Sequence, residues 1–368
     1  MYDFNIALQE SNKRFEDMLN QGFDTHILVA GNGFDLAHGY NTRYTDFVDY
    51  TRTLSEEEQK NSFIKHFQAK MDLQSDGINK KWIDCEDEIA QITDSFSVMT
   101  SKMDDSLIKF FPNNLFSPKE LFVLRSFSSY VVPLGSNYMV TEKYKNSEGY
   151  EGYYDKESIL NDLINDLEEV IHYLKSFIRE ATKDDVFSPF GEAIIDYVVN
   201  FNYTTTYRKY ISDEKNVYNI HGNIGNDYNN MVLGIGDKSE ENLDYIYFKK
   251  YFQRMQKATR RFDINEICDT LVNLGMGVCV KRNVAAHFFG HSMSKTDGDI
   301  LSEIIKTVNC SFIYYHSRKD YEEKIVNLID MLGKKIVLDF IDRGKIIMCH
   351  IDQFEENTKL RIKRTRNE

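Results

Sequence analysis

The chain has 368 residues, 42% hydrophobic and 28% charged, and its 45 basic and 58 acidic side chains leave a net charge of −13. This composition excludes a low-complexity or collagen-like chain, and the negative field disfavours broad nonspecific binding of nucleic acid. The length admits one large domain or two modest ones, and no stretch reaches the roughly 18 apolar residues of a membrane helix.

Met1-Tyr2-Asp3-Phe4-Asn5 has neither the basic nor the apolar region of a signal peptide. Cysteines stand at 85, 268, 279, 310 and 349 with no C-x-x-C spacing, so reduced thiols in a cytoplasmic protein are expected. Residues 6–20 carry the spacing of an amphipathic helix. Thr25-His26-Ile27-Leu28-Val29-Ala30 is a short apolar run ended by Gly31-Asn32-Gly33, as in a strand buried on both faces. From 46 to 190 the pattern is mostly helical, with long stretches at 54–71 and 156–180 and a Tyr- and Ser-rich segment at 126–155 that reads as a loop or an exposed excursion. Strand signals return at 193–201, 217–220, 231–235, 285–290 and 310–315, interleaved with helical patterns at about 245–274, 296–308 and 318–333. A last helix-strand unit or strand pair fits 335–352, and 353–368 is a basic C-terminal tail. Such alternation predicts an α/β nucleotide-binding domain from 1–45 and 191–352, with a mainly parallel sheet interrupted by the helical insertion 46–190.

Polar or glycine-rich residues end five of the predicted strands: Gly31-Asn32-Gly33-Phe34-Asp35, Asn202-Tyr203-Thr204, His221-Gly222-Asn223, Gly234-Ile235-Gly236-Asp237 and Gly290-His291-Ser292. Ligands of open parallel sheets bind outside the carboxyl ends of strands, so these five ends point to one crevice. Gly31-Asn32-Gly33 permits close approach of a phosphate to backbone N–H groups, although Leu36 takes the place of the third glycine of G-x-G-x-x-G. Asp35 suits a ribose hydroxyl, a helix cap or a water. Asn202 suits a ribose hydroxyl or an attacking water, or a plain turn. His221 can take a proton near neutral pH. Ser292 is no nucleophile elbow, because Ser294 replaces the last glycine of G-x-S-x-G. Asp297 and Asp299 suit the positive end of a helix. Asp84, with Asp87 or Glu88, shares a helix face, either as paired carboxylates for a metal or as a solvated surface. The histidines have no H-E-x-x-H spacing.

One family carries these motifs together. Ile27-Leu28-Val29-Ala30-Gly31-Asn32-Gly33-Phe34-Asp35-Leu36-Ala37-His38-Gly39, with Thr42, Tyr44, Asp46 and Phe47, closely resembles the opening of the AbiH proteins of bacterial abortive infection. Trp82-x-Asp84-x-Glu86, Phe201-Asn202-Tyr203-Thr204, Ile220-His221-Gly222, Leu233 to Asp237, Gly290 to Asp297 and Tyr321 to Ile329 continue the resemblance. It implies phage defence by killing or arresting the infected cell, with a phage protein as trigger. The order of glycine turn, Asn-Tyr, His-Gly and Gly-x-Ser is also similar to the SIR2-like, Rossmann-like NAD-binding fold. That likeness implies NAD against Gly31, Asn32, Gly33, Phe34 and Asp35, with Gly290 and Ser292 towards its adenosine half and Asn202 and His221 catalytic. Asn32 stands where a small Ala is usual, Thr204 replaces an Asp, and the zinc-binding Cys pairs of deacetylases are absent, which disfavours deacetylation.

The expected activity is hydrolysis of the N-glycosidic bond of NAD or a related nucleotide, with Asp35 stabilising positive charge on the ribose and no metal. The alternatives are a non-catalytic nucleotide-sensing or partner-binding protein, and a metal-dependent nuclease using Asp84, Glu86 and Asp35. A homo-oligomer without membrane contact is expected.

Overall fold

The structure is a computed structural model that describes residues 22–73, 82–103, 110–145, 154–184, 188–226, 229–236, 242–259, 261–273 and 279–360. The helix read at 6–20 and the basic residues 361–368 lie outside them. The chain divides into two compact units, one of Met1–Asn41, Asp184–Asn226 and Thr259–Glu368, the other of Thr42–Lys183 and Asp227–Ala258.

The first unit is an α/β structure built on β1 (Thr25–Ala30), β2 (Tyr197–Asn200), β3 (Val217–Asn219), β4 (Val284–Phe289), β5 (Cys310–Tyr315) and β6 (Ile346–His350). They form one sheet in the order β6-β5-β4-β1-β2-β3, and every pairing in it is parallel. Every residue of β1 is buried. Because strand side chains alternate, Ile27 and Val29 enter the core beneath Leu301, Ile304, Leu328 and Val337. Leu28 and Ala30 enter the opposite core with Phe34, Phe312 and Phe354. A strand covered on both faces needs an unbroken apolar run, which is why it stands out in the sequence.

His26 and His287 are polar residues on the second face, both fully buried. The Leu360 carbonyl can only accept, which sets one direction for their hydrogen bonds when both rings are neutral. The Asn357 amide donates to the Tyr314 hydroxyl, 3.0 Å, which donates to His287 Nδ1, 2.9 Å. His287 Nε2–H then faces His26 Nδ1, 2.8 Å, and His26 Nε2–H faces the Leu360 carbonyl, 3.3 Å. With Phe354 buried in the same core, this chain fastens the segment before residue 361. The tail read from 353 therefore begins as a packed helix, Phe354–Thr358.

In the second unit, helices Tyr44–Thr51, Ser62–Asp72, Cys85–Met103, Pro118–Ser126 and Lys156–Ala181 accompany a three-stranded antiparallel sheet. Phe63 and Phe96 pack edge-on against Phe127 at 5.3 and 5.2 Å between ring centroids. The segment 126–155, read as a loop, contains the hairpin Val131–Leu134 and Asn137–Val140, turned at Gly135 with φ +60°. The strand read at 231–235 is absent; Ile235 makes a single bridge to Lys249. Gln253 takes its place, its side chain accepting from the Leu233 N–H at 3.1 Å and donating to the Leu233 carbonyl at 2.9 Å. Among the described residues, no helix is long and apolar enough to cross a membrane.

Candidate active site

In the first unit β1 lies between β2 and β4, so the chain leaves it on one side and returns on the other. This is the switch point at which open α/β sheets bind ligands. The turn after β1 meets the turn after β4 backbone to backbone. A Cβ on Gly31 would lie 2.5 Å from His291 Cα, and one on Gly290, at φ +69°, would lie 2.2 Å from the Phe34 nitrogen. Glycines are required there because the opposing chain fills the space of a side chain. The amides are engaged as well. Gly31 N–H donates to the Phe289 carbonyl at 3.0 Å, Gly33 N–H to the Gly290 carbonyl at 2.9 Å, and Phe34 N–H to the Gly31 carbonyl at 2.8 Å. The expected phosphate cradle of free N–H groups is therefore not formed by residues 31, 33 and 34. Their glycines and amides join two strand ends, while Asn32 and Ser292 are the exposed polar side chains of these turns.

Asn202 belongs to this junction. Its Nδ2–H donates to the Gly31 carbonyl at 3.0 Å, tying the end of β2 to the turn after β1. Asn200, which carried no signal in the sequence, shapes that turn: its amide donates to the carbonyls of Asn202 and Thr204, both at 3.0 Å, and its oxygen accepts from Asn202 N–H at 3.2 Å. The Thr204 hydroxyl lies 2.8 and 2.9 Å from the two oxygens of Asp35. Burial pushes the Asp35 carboxyl up to about 6, against hydrogen bonds from Thr206, Thr204 and Asn202 that pull it down. Asp35, Asn202 and His221 are only 1, 6 and 4% exposed.

His221 follows β3. Its Nδ1 lies 3.1 Å from the Phe201 carbonyl and its Nε2 lies 3.0 Å from Asp297 Oδ1. A carbonyl only accepts, and so does an ionised carboxylate. The geometry therefore needs a proton on Nδ1 and a second proton between Nε2 and Asp297. In this arrangement both ring nitrogens of His221 have partners, so a proton-accepting role requires one of these contacts to open. Asp297 stands at the start of a helix, as expected. It directly precedes the helix Gly298–Thr307 yet its side chain makes no cap bond; it faces His221, and its Oδ2 lies 3.8 Å from His291 Nε2. No local spacing in the sequence links residue 221 to residue 297.

The fourth of the five strand ends, Gly234 to Gly236, belongs to the other unit. A Cβ on Gly234 would lie 2.3 Å from the Phe248 carbonyl, so this glycine serves local packing; Asp237 is outside the described residues. Asp84 and Glu86 also lie in the other unit. Asp84 Oδ1 accepts from Glu86 N–H at 2.9 Å and Asp87 N–H at 3.3 Å, a helix cap, and burial with nearby Glu86 pushes its carboxyl up to about 6. Glu86 pairs with the buried Lys250 at 2.7 Å and accepts from the Tyr44 hydroxyl at 3.2 Å. Among the described residues, no group of three His, Cys, Asp or Glu side chains could hold a metal ion.

A cavity of about 580 Å³ opens at the amino ends of the strands, lined by Asp24, Asp196, Tyr197, Tyr210 and Arg282 among others. Its acids fix local backbone: Asp196 accepts from His26 N–H at 2.7 Å and Asp24 from Asn283 N–H at 2.8 Å.

No curated protein and no solved structure matches the chain. A family model for bacteriophage abortive infection AbiH matches residues 27–316, a span that includes most of β1 and the junction residues from Gly31 to Asp297. With well over half of its length matched, the chain belongs to the AbiH family of bacteriophage abortive-infection proteins.

Proposed function

We propose that this chain serves phage defence by binding NAD or a related nucleotide at the carboxyl edge of its parallel sheet and hydrolysing the N-glycosidic bond. Family membership supports the defence role. The chemistry rests on one observation: Asn202 joins the β1 turn through Gly31, and its neighbour Thr204 bonds Asp35. The sheet supports a nucleotide as ligand, because its strands, numbered along the chain, lie in the order 3-2-1-4-5-6 of Rossmann dinucleotide-binding domains.

In this proposal Asn32 and Ser292 meet the phosphates, since the amides of 31, 33 and 34 are engaged. Asn202 orients a water. Water oxygen adds to the ribose carbon as the carbon–nitrogen bond breaks, nicotinamide leaves neutral with the bonding pair, and the water's proton passes to Asp35. A carboxylate whose pKa lies near the working pH suits that task. Asp35 also supplies negative potential to the oxocarbenium-like ribose.

Nicotinamide release from NAD, followed by chromatography, tests the reading. Turnover is expected in the native protein and should fall about 100-fold or more in Asn202→Ala, in keeping with the loss of a positioned catalytic group. A second reading, nucleotide sensing without turnover, is favoured by the engagement of both His221 nitrogens. Binding of NAD in equilibrium dialysis without product supports that reading; neither binding nor turnover overturns both.

A further inference from the structure

We propose that Asp297 is the positioning residue of this site, fixing the ring of His221 through Nε2 and lying within ion-pair distance of His291. The catalytic part of the proposal rests on the nucleotide reading above; the geometric part does not.

Three observations carry it. Asp297 stands where an Asp ordinarily caps a helix, yet it makes no cap bond to the helix it precedes and is 6% exposed. A carboxylate so deeply buried needs hydrogen-bonded partners, and His221 Nε2 at 3.0 Å is one. His221 comes from the end of β3 and His291 from the end of β4, so the single side chain of Asp297 reaches two strand ends on opposite sides of β1.

The second nitrogen of each ring is assigned by its own partner. The Phe201 carbonyl takes the Nδ1 proton of His221. His291 Nδ1 instead accepts from Met293 N–H at 3.0 Å, which leaves the His291 proton on Nε2, facing Asp297 Oδ2 at 3.8 Å. Met293 holds φ +61° to make that bond, a conformation that side chains other than glycine adopt rarely. Phe201 packs edge-on against both rings, with centroids 5.5 Å from His221 and 4.7 Å from His291. Among the described residues, Asp297 meets His221 at Nε2 and the Tyr203 ring centroid lies 6.2 Å from that of His221.

Removing the carboxylate releases His221 at Nε2 and leaves its ring to exchange tautomers. Asn at 297 keeps a donor towards Nε2 and so preserves ring position while losing the charge. The test is ¹⁵N spectroscopy of histidine-labelled full-length protein, with His221 and His291 assigned through His221→Gln and His291→Gln. The native protein is expected to show His221 with Nδ1 protonated and a slowly exchanging proton between Nε2 and Asp297, and His291 as the Nε2–H tautomer. Asp297→Ala should give a tautomer mixture at His221, and Asp297→Asn a single Nδ1–H form. If His221 is catalytic, as the SIR2-like likeness implies, Asp297→Ala should lower kcat for nicotinamide release about 100-fold with KM changed less than about threefold, and Asp297→Asn should fall between it and the native protein. A native His221 with an unbonded Nε2, or a spectrum unchanged in Asp297→Ala, overturns the proposal. The native spectrum decides even if the variants do not fold. The expected spectra without any nicotinamide release would sink only the NAD reading.

Discussion

Asp35 is a carboxylate that the fold would hold more easily with its proton on. Its pKa rises from 3.8 to about 6 through burial. The folded state therefore binds more protons than the unfolded state between those values, and Asp35 makes stability fall as pH climbs from about 4 to 6. Below about 4 both states are protonated and no penalty remains; above about 6 it is complete. A shift of this size corresponds to about 3 kcal/mol at most. Asp35→Asn keeps an acceptor for the Thr204 hydroxyl and has no charge to desolvate. The variant should gain up to about 3 kcal/mol over the native protein at pH 7.5 and nothing at pH 4, measured by urea unfolding. His38, whose pKa burial lowers, adds a slope of opposite sign below neutral pH, but it is common to both proteins and cancels in the difference. A carboxylate that destabilises its own fold at neutral pH is what a functional role predicts, so the same variant should lose nicotinamide release. The position of Asp35 after a glycine turn was legible in the sequence. The partners of Asp297 were not, because its place before a helix pointed only to the helix dipole and those partners are set by strands far away in the chain.

At the scale of elements, β1, β4 and β5 were readable because strands buried on both faces must be continuously apolar. The turns that follow them were readable as glycine-rich but not in purpose. A glycine can admit a ligand or an opposing backbone, and the two leave the same mark in the sequence. Here Gly290 meets Gly33 and Phe34, so a methyl group has nowhere to go. Gly290→Ala combines a left-handed backbone, costing about 1–2 kcal/mol, with overlap against main-chain atoms, and should destabilise the protein by more than about 3 kcal/mol. Were the glycine present for phosphate approach instead, the variant would lose only the roughly 1–2 kcal/mol of the left-handed backbone, together with nucleotide affinity. Urea midpoints alongside NAD dialysis separate the two. The strand read at 231–235 failed for a related reason: its residues have strand composition, but a glutamine amide supplies the hydrogen bonds that a neighbouring strand would have made.

At the scale of the whole molecule, the sequence suggested one insertion, whereas the second unit is assembled from two separate stretches, 42–183 and 227–258. Nothing in local composition marks the later stretch, because what binds it is side-chain pairing over long separations. Lys257 meets Glu168 at 2.6 Å, and the Thr100 and Tyr245 hydroxyls lie 3.0 Å apart. Lys250 and Glu86 form the more buried of the two ion pairs, at 2 and 11% side-chain exposure. That pairing also explains the acidic cluster around Asp84 without a metal, since Glu86 already has its cation. Lys250→Met would leave the Glu86 carboxylate buried without that cation, a change that typically costs about 3–5 kcal/mol. Replacing both residues, Lys250→Met with Glu86→Leu, removes the stranded charge and should recover most of the loss, as apolar substitutes for buried pairs often do. A metal site would behave otherwise: Glu86→Leu alone would abolish chelator-sensitive nuclease cleavage, and the double variant would recover no stability. Unfolding in urea for the native protein, the two single variants and the double variant closes the cycle. A double variant no more stable than Lys250→Met would mean that Glu86 answers to something other than its lysine.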